Sequence, residues 1–145
     1  MYDRILVPLE HTATDATILG HVRALARHCQ ASVLVIHVAD GWAARNITQL
    51  KLRESEEMRL DRTYIEGVAA ELRSHGLQAE SMLATGDPAA EIVAAAEREG
   101  CDLIAMATHG HKLIGDVVYG SVANGVRHAT SIPVLLVRVP GPGKS

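Results

Sequence analysis

The sequence predicts an α/β protein built on an open, doubly wound, five-stranded parallel sheet in the order 3-2-1-4-5, with helices on both faces. Three observations predict it. Short apolar, β-branched runs alternate with amphipathic runs of helical period, giving β-α-β-α-β-α-β-α-β over 145 residues. One run, Ser32 to Val38, is almost continuously apolar, as expected of a strand covered on both faces and so of a parallel sheet. Glycine, proline and acidic caps separate the runs, and right-handed crossovers wind the helices onto the two faces.

The first strand is Ile5 to Pro8, followed by Glu10-His11-Thr12 and a helix with apolar residues at Ile18, Leu19, Val22, Leu25, Ala26 and Cys29. Thr12 is expected to cap this helix, with Asp15 answering its backbone in a short-armed capping box. Ser32 to Val38 is the second strand. Gly41-Trp42 opens an irregular stretch, and a long charged helix then keeps Met58, Ile65, Val68 and Leu72 on one face until Gly76 stops it. Its first turns, Lys51 to Arg62, read as a solvated face with pairs such as Arg53 and Glu57. Gln78 to Ala84 is the third strand. Gly86-Asp87-Pro88 starts the third helix, with Asp87 as cap and Pro88 where a missing N–H costs nothing, and Gly100 stops it. Asp102 to Thr108 is the fourth strand. A glycine-bearing loop leads to a helix from about Gly120 to Ala129, and Ile132 to Val139 is the fifth strand. Residues 1–139 are expected to form one domain, and 140–145 a flexible tail whose Pro and Gly cannot pair in a sheet.

Composition narrows the function. The formal net charge is −3, with no Phe, one Trp and no basic cluster, so neither a phosphate track nor a stacking platform for nucleic acid is present. Cys29 and Cys101 form no CxxC pair and read as buried small hydrophobes. Every apolar run falls short of the roughly 20 residues a membrane helix needs, so a soluble, cytoplasmic protein without membrane contact is expected.

In open α/β sheets ligands sit beyond the carboxyl ends of the strands, where the strand order reverses, so the loops after strands one and four carry the chemistry. The fourth runs from Ala107 to Val122. Gly110 and Gly120 let backbone N–H groups approach a bound group, and Gly120-Ser121 is expected to open a helix whose N-terminus favours an anion. Together they read as a phosphate cradle. The same glycines also serve as plain turn punctuation, with Ser121 a mere cap. His109 and His111 lack a clear third ligand, so they suit phosphate contact or solvation better than a metal. His37, inside an apolar strand, reads as a hydrogen-bonded structural residue.

Up to about Arg138 the chain resembles the universal stress protein family, through Ile5-Leu6-Val7-Pro8, Gly86-Asp87-Pro88 and Asp102-Leu103-Ile104-Ala105-Met106-Ala107-Thr108-His109-Gly110. The family's nucleotide-binding branch carries G-x2-G-x9-G-S/T. Gly110, nine residues, then Gly120-Ser121 match it, with Ala107 in place of the first glycine. The resemblance implies an adenine nucleotide alpha hydrolase-like fold holding ATP or another adenine nucleotide, with magnesium. Pro8, which ends the first strand, and Leu9 and Glu10 after it would meet the nucleotide, Glu10 where relatives often have an Asp near the ribose or a metal, with His11 where they have Gly. Leu9 and Val38 would border the adenine, the backbone of Val38 reading its edge. Met106 and Val122 would line the floor. His111, then Lys112, replaces the Arg of many relatives and makes phosphate neutralisation more dependent on pH.

The implied role is regulatory or sensing in a stress response. Two alternatives remain open: a slow magnesium-dependent ATPase using Glu10, and a scaffold that binds no nucleotide. A homodimer is expected through the fifth strand, whose apolar Ile132-Pro133-Val134-Leu135-Leu136-Val137 would lie at a sheet edge, and a further protein partner is unspecified. A receiver domain would need clustered acids after the first strand, and a dinucleotide fold GxGxxG in the first turn. Neither is present.

Overall fold

The computed structural model describes the backbone of residues 1–40, 47–109 and 114–139 and, within these, the side chains of 1–39, 56–108 and 122–139. The elements run β1 (Arg4–Pro8), α1 (Asp15–Cys29), β2 (Ser32–Asp40), α2 (Ile47–Ser74), β3 (Ala79–Gly86), α3 (Pro88–Arg98), β4 (Leu103–His109), α4 (Ile114–Ala129) and β5 (Val134–Val139). All sheet pairings are parallel and the order is β3-β2-β1-β4-β5. This is the doubly wound sheet expected from the alternation.

Strand side chains alternate between two cores. Ile5, Val7, Val33 and Val35 pack with Ile18 and Val22 of α1 and Ile65, Ala69 and Leu72 of α2. Leu6, Leu34, Ile36, Ile104 and Met106 pack on the other face with Ile92 and Ala96 of α3 and Ala123 and Val126 of α4. A run such as SVLVIHV is apolar throughout because both sides of its pleat are covered. Between α3 and α4, a Cβ added to Gly125 would stand 2.9 Å from the Cβ of Ala89, so the two helices approach where the glycine has no side chain. Among the described residues no helix is long and apolar enough to cross a membrane.

Asp87 caps α3 as expected, accepting the Ala90 N–H at 3.0 Å, with Pro88 in the first turn. Other local expectations differ. Thr14, not Thr12, holds the cap position of α1 and makes no side-chain capping bond. Asp15 instead reaches back, its Oδ1 accepting the Glu10 N–H at 3.0 Å and its Oδ2 the His11 N–H at 2.9 Å. Two backbone donors held by one carboxylate outweigh the single bond a capping box would return. Cys101 is buried, and burial pushes its thiol up, whereas Cys29 is only half-buried. The helix expected to open at Gly120 begins at Ile114. Ile114, Val117, Val118 and Val122 recur at helical spacing, so the helix runs through Gly115 and Gly120 despite the cost of roughly 1 kcal/mol that an interior glycine carries. The Arg53 side chain, Gly41, Trp42 and the tail lie outside the described residues.

Candidate functional site

β1 stays in register with β2 from Arg4 to Pro8, but its ladder with β4 holds only Ile5↔Leu103 and Leu6↔Ile104. Beyond those pairs the two central strands part, and the crevice expected where strand order reverses opens at their carboxyl ends. It is a cavity of about 240 Å³. One side is apolar: Ile36 and Val38 from β2, Met106 and Ala107 from β4, Pro88 and Ile92 from α3, Val122 and Ala123 from α4. The other is polar, formed by Glu10, Asp15 and His37 beside Pro8 and Leu9.

The polar side is organised by the turn after β1. His11 has φ 64°, a left-handed conformation uncommon for a residue with a Cβ, and Asp15 holds it there through the bonds described above. Asp15 is 3% exposed and accepts a third hydrogen bond, from the Tyr64 hydroxyl at 2.5 Å. Three donors thus compensate one buried carboxylate. Burial, aided by that bond to Asp15, pushes the Tyr64 phenol well above its ordinary range, so it remains a donor. Glu10 accepts from the Thr14 hydroxyl at 3.1 Å. His37 Nδ1 lies 2.9 Å from the Leu9 carbonyl, which can only accept, so this nitrogen carries a proton.

Seven of the residues expected in the site, Pro8, Leu9, Glu10, Val38, Met106, Ala107 and Val122, line this one cavity. Ala107 lies in β4 paired with Val137, and it is not among the described residues with positive φ, so the strand accepts alanine where the family motif has glycine. Gly110 and His111 fall outside the described residues. Gly120 and Ser121 lie inside α4, described as backbone, and not at a helix start. The sequence left Asp15, Ile36, Pro88, Ile92 and Ala123 unassigned to the site and gave His37 a structural part alone. The signal for Pro88 and Ile92 was the Gly86-Asp87-Pro88 helix start, which sets α3 at the carboxyl end of the sheet.

The universal stress protein family model matches residues 1–138. The chain belongs to the universal stress protein family. Among curated relatives, universal stress protein MJ0577 of Methanocaldococcus jannaschii is 30% identical over 95% of this chain and 96% of its own length. Its solved structure superposes with a TM-score of 0.81 at 28% identity, covering 97% of this universal stress protein and 99% of that chain. Two more distant members share the fold. A universal stress protein from Archaeoglobus fulgidus in complex with dAMP has a TM-score of 0.64 at 20% identity, covering 94% of this chain and 98% of that one. A universal stress protein in complex with cAMP has a TM-score of 0.70 at 16% identity, covering 94% and 97%.

Proposed function

We propose that this universal stress protein binds an adenine nucleotide, ATP or a relative, in the cleft between β1 and β4, and that occupancy serves a regulatory or sensing role in the cytoplasm. The observation that carries it is the two-sided cleft, an apolar slot facing a carboxylate-bearing turn. At about 240 Å³ it lies a little below the roughly 300–1,000 Å³ of most small-molecule sites, a size for a base and part of a sugar with the phosphates outside. Met106, Ile92 and Val122 offer apolar contact to a ring face, and Glu10 a carboxylate to a ribose hydroxyl. The family's dAMP- and cAMP-bound members support the ligand class.

Strand geometry supports Val38 as the reader of the adenine edge. The Ile36 carbonyl accepts the Leu9 N–H at 2.8 Å, so Ile36 presents its backbone toward β1. Backbone groups alternate sides along a strand, and Val38 therefore presents its N–H and C=O the same way, past the end of the β1 ladder at Pro8. A donor and acceptor side by side match the edge of adenine. On their sequence pattern, Gly110, His111, Gly120 and Ser121 are the residues proposed to meet the phosphates. Among the described residues no group of His, Cys, Asp and Glu is arranged to hold a metal, so magnesium is expected to come with the phosphates. No Lys or Arg stands among the described lining residues, and any hydrolysis is expected to run well below the roughly 1–1,000 per second of ordinary enzymes. We also propose a homodimer through β5, an edge strand of the sheet.

A thermal unfolding series tests the ligand. ATP with magnesium is expected to raise Tm in proportion to the logarithm of its concentration, because a ligand selective for the folded state stabilises it by mass action. An unchanged Tm at millimolar ATP would favour the scaffold.

A further inference from the structure

The polar side of the cleft is gripped from outside by α2. His11 Nδ1 lies 2.7 Å from Asp61 Oδ1, and the His11 ring stacks on Tyr64 with centroids 4.0 Å apart and planes 15° from parallel. Asp61 Oδ2 lies 3.4 Å from His37 Nε2, whose other nitrogen holds the Leu9 carbonyl. The Tyr64 hydroxyl holds Asp15, and Asp15 holds the N–H groups of Glu10 and His11. The contacts form a closed circuit, from Leu9 through His37, Asp61, His11, Tyr64 and Asp15 back to Glu10. Asp61 and Tyr64 are three residues apart on α2, hence on one helix face, and they are its two members of the circuit.

A left-handed residue with a Cβ persists only where its surroundings over-determine it. Here both its N–H and its ring are fixed, and the ring is fixed by α2. The apolar wall needs no such help, since Ile36, Ile92, Met106 and Ala123 are buried in one core and Val38 and Val122 pack against it. The turn bearing Glu10 is therefore the part of the cleft whose geometry depends on a distant element.

We infer that Asp61 and Tyr64 are positioning residues, which act on a bound nucleotide by holding the 9–11 turn and so aiming Glu10. Neither belongs to the described cavity lining. The inference rests on the nucleotide reading for its ligand, while the clasp itself exists without one.

Two measurements test it. The first is a double-mutant cycle on ATP–magnesium affinity by calorimetry, combining Tyr64→Phe, which deletes one hydroxyl, with Glu10→Gln. Tyr64→Phe is expected to weaken binding about fivefold in the native background and less than twofold beside Glu10→Gln, because contacts acting through one group are not additive. Equal losses in the two backgrounds, or no loss in the first, would overturn the inference. The second uses the ligand-free protein: the Glu10 and His11 amides are expected to exchange with solvent at least tenfold faster in Tyr64→Phe and in Asp61→Asn, while those of Ile5 to Val7 keep their protection. Unchanged exchange at 10 and 11 overturns the clasp. Should native protein bind no ATP, the nucleotide reading falls, and the exchange rates alone decide whether α2 holds the turn.

Discussion

Asp102 stands just ahead of β4, at the end of the sheet opposite the cleft, and accepts the N–H groups of Asp3 at 2.9 Å and Arg4 at 3.0 Å. Burial works to raise its pKa, but the backbone bonds from Arg4 and Asp3 outweigh it and hold the carboxyl below its ordinary value. A depressed folded pKa contributes stability that is present above the unfolded value, about 4, and is lost as the pH falls through the folded one. The Tm advantage of native protein over Asp102→Asn is therefore expected to be full at pH 6 to 7 and to shrink steadily below about pH 4. An advantage constant from neutral pH to pH 3 would mean that the charge has no part in it. Single carboxylates of this kind were the least legible features of the chain. Asp15 reads from sequence as a partner for Thr12, and what redirects it, the left-handed turn at His11 and a tyrosine 49 residues away, is set by tertiary structure. His37 was legible as a hydrogen-bonded residue, but its link to Asp61 depends on where α2 lies against β2.

Elements were far more legible, because period and punctuation are local. The apolar runs, Gly76 at φ 90° after α2 and Gly100 at φ 70° after α3 mark boundaries within a residue or two of those observed. Asp87 is the clearest case, since cap, proline and first turn follow in sequence as they do in space. Replacing it with alanine is expected to cost about 1 kcal/mol, read as a lower urea midpoint at unchanged slope, because the Ala90 N–H loses its acceptor. A cost near zero would show that water replaces the cap without loss. The start of α4 was misplaced for an instructive reason. Gly120-Ser121 has the composition of a helix start, while the apolar spacing from Ile114 onward already supports a helix; periodicity over several turns outweighed one local signal. The switch point made the loops after strands one and four legible, and the family resemblance named the seven residues that line the cavity, whereas side chains supplied by α3 needed its packing.

For the whole molecule the proposed homodimer rests on β5, which stands at an edge of the sheet among the described residues. The Ile104 N–H donates to the Pro133 carbonyl at 3.0 Å, which turns the backbone of 133 and 135 toward β4 and that of Val134 and Leu136 outward. Leu136 is 39% exposed, an apolar side chain on a strand able to receive another. Light scattering is expected to give twice the 15.5 kDa chain mass at micromolar concentration, and Leu136→Pro to return it toward 15.5 kDa by removing an outward donor while sparing the ladder with β4. A native mass of one chain would remove the dimer. The contact between Gly125 and Ala89 reaches further than its place outside the cavity lining suggests. The cleft's apolar wall is shared, Pro88 and Ile92 from one helix and Val122 and Ala123 from the other, and those helices meet closely where position 125 presents a hydrogen. A methyl there would act as a wedge between the two helices, shifting one against the other without altering a single lining residue. The shape of this wall is thus set in part by a position that does not line it, a dial outside the cleft.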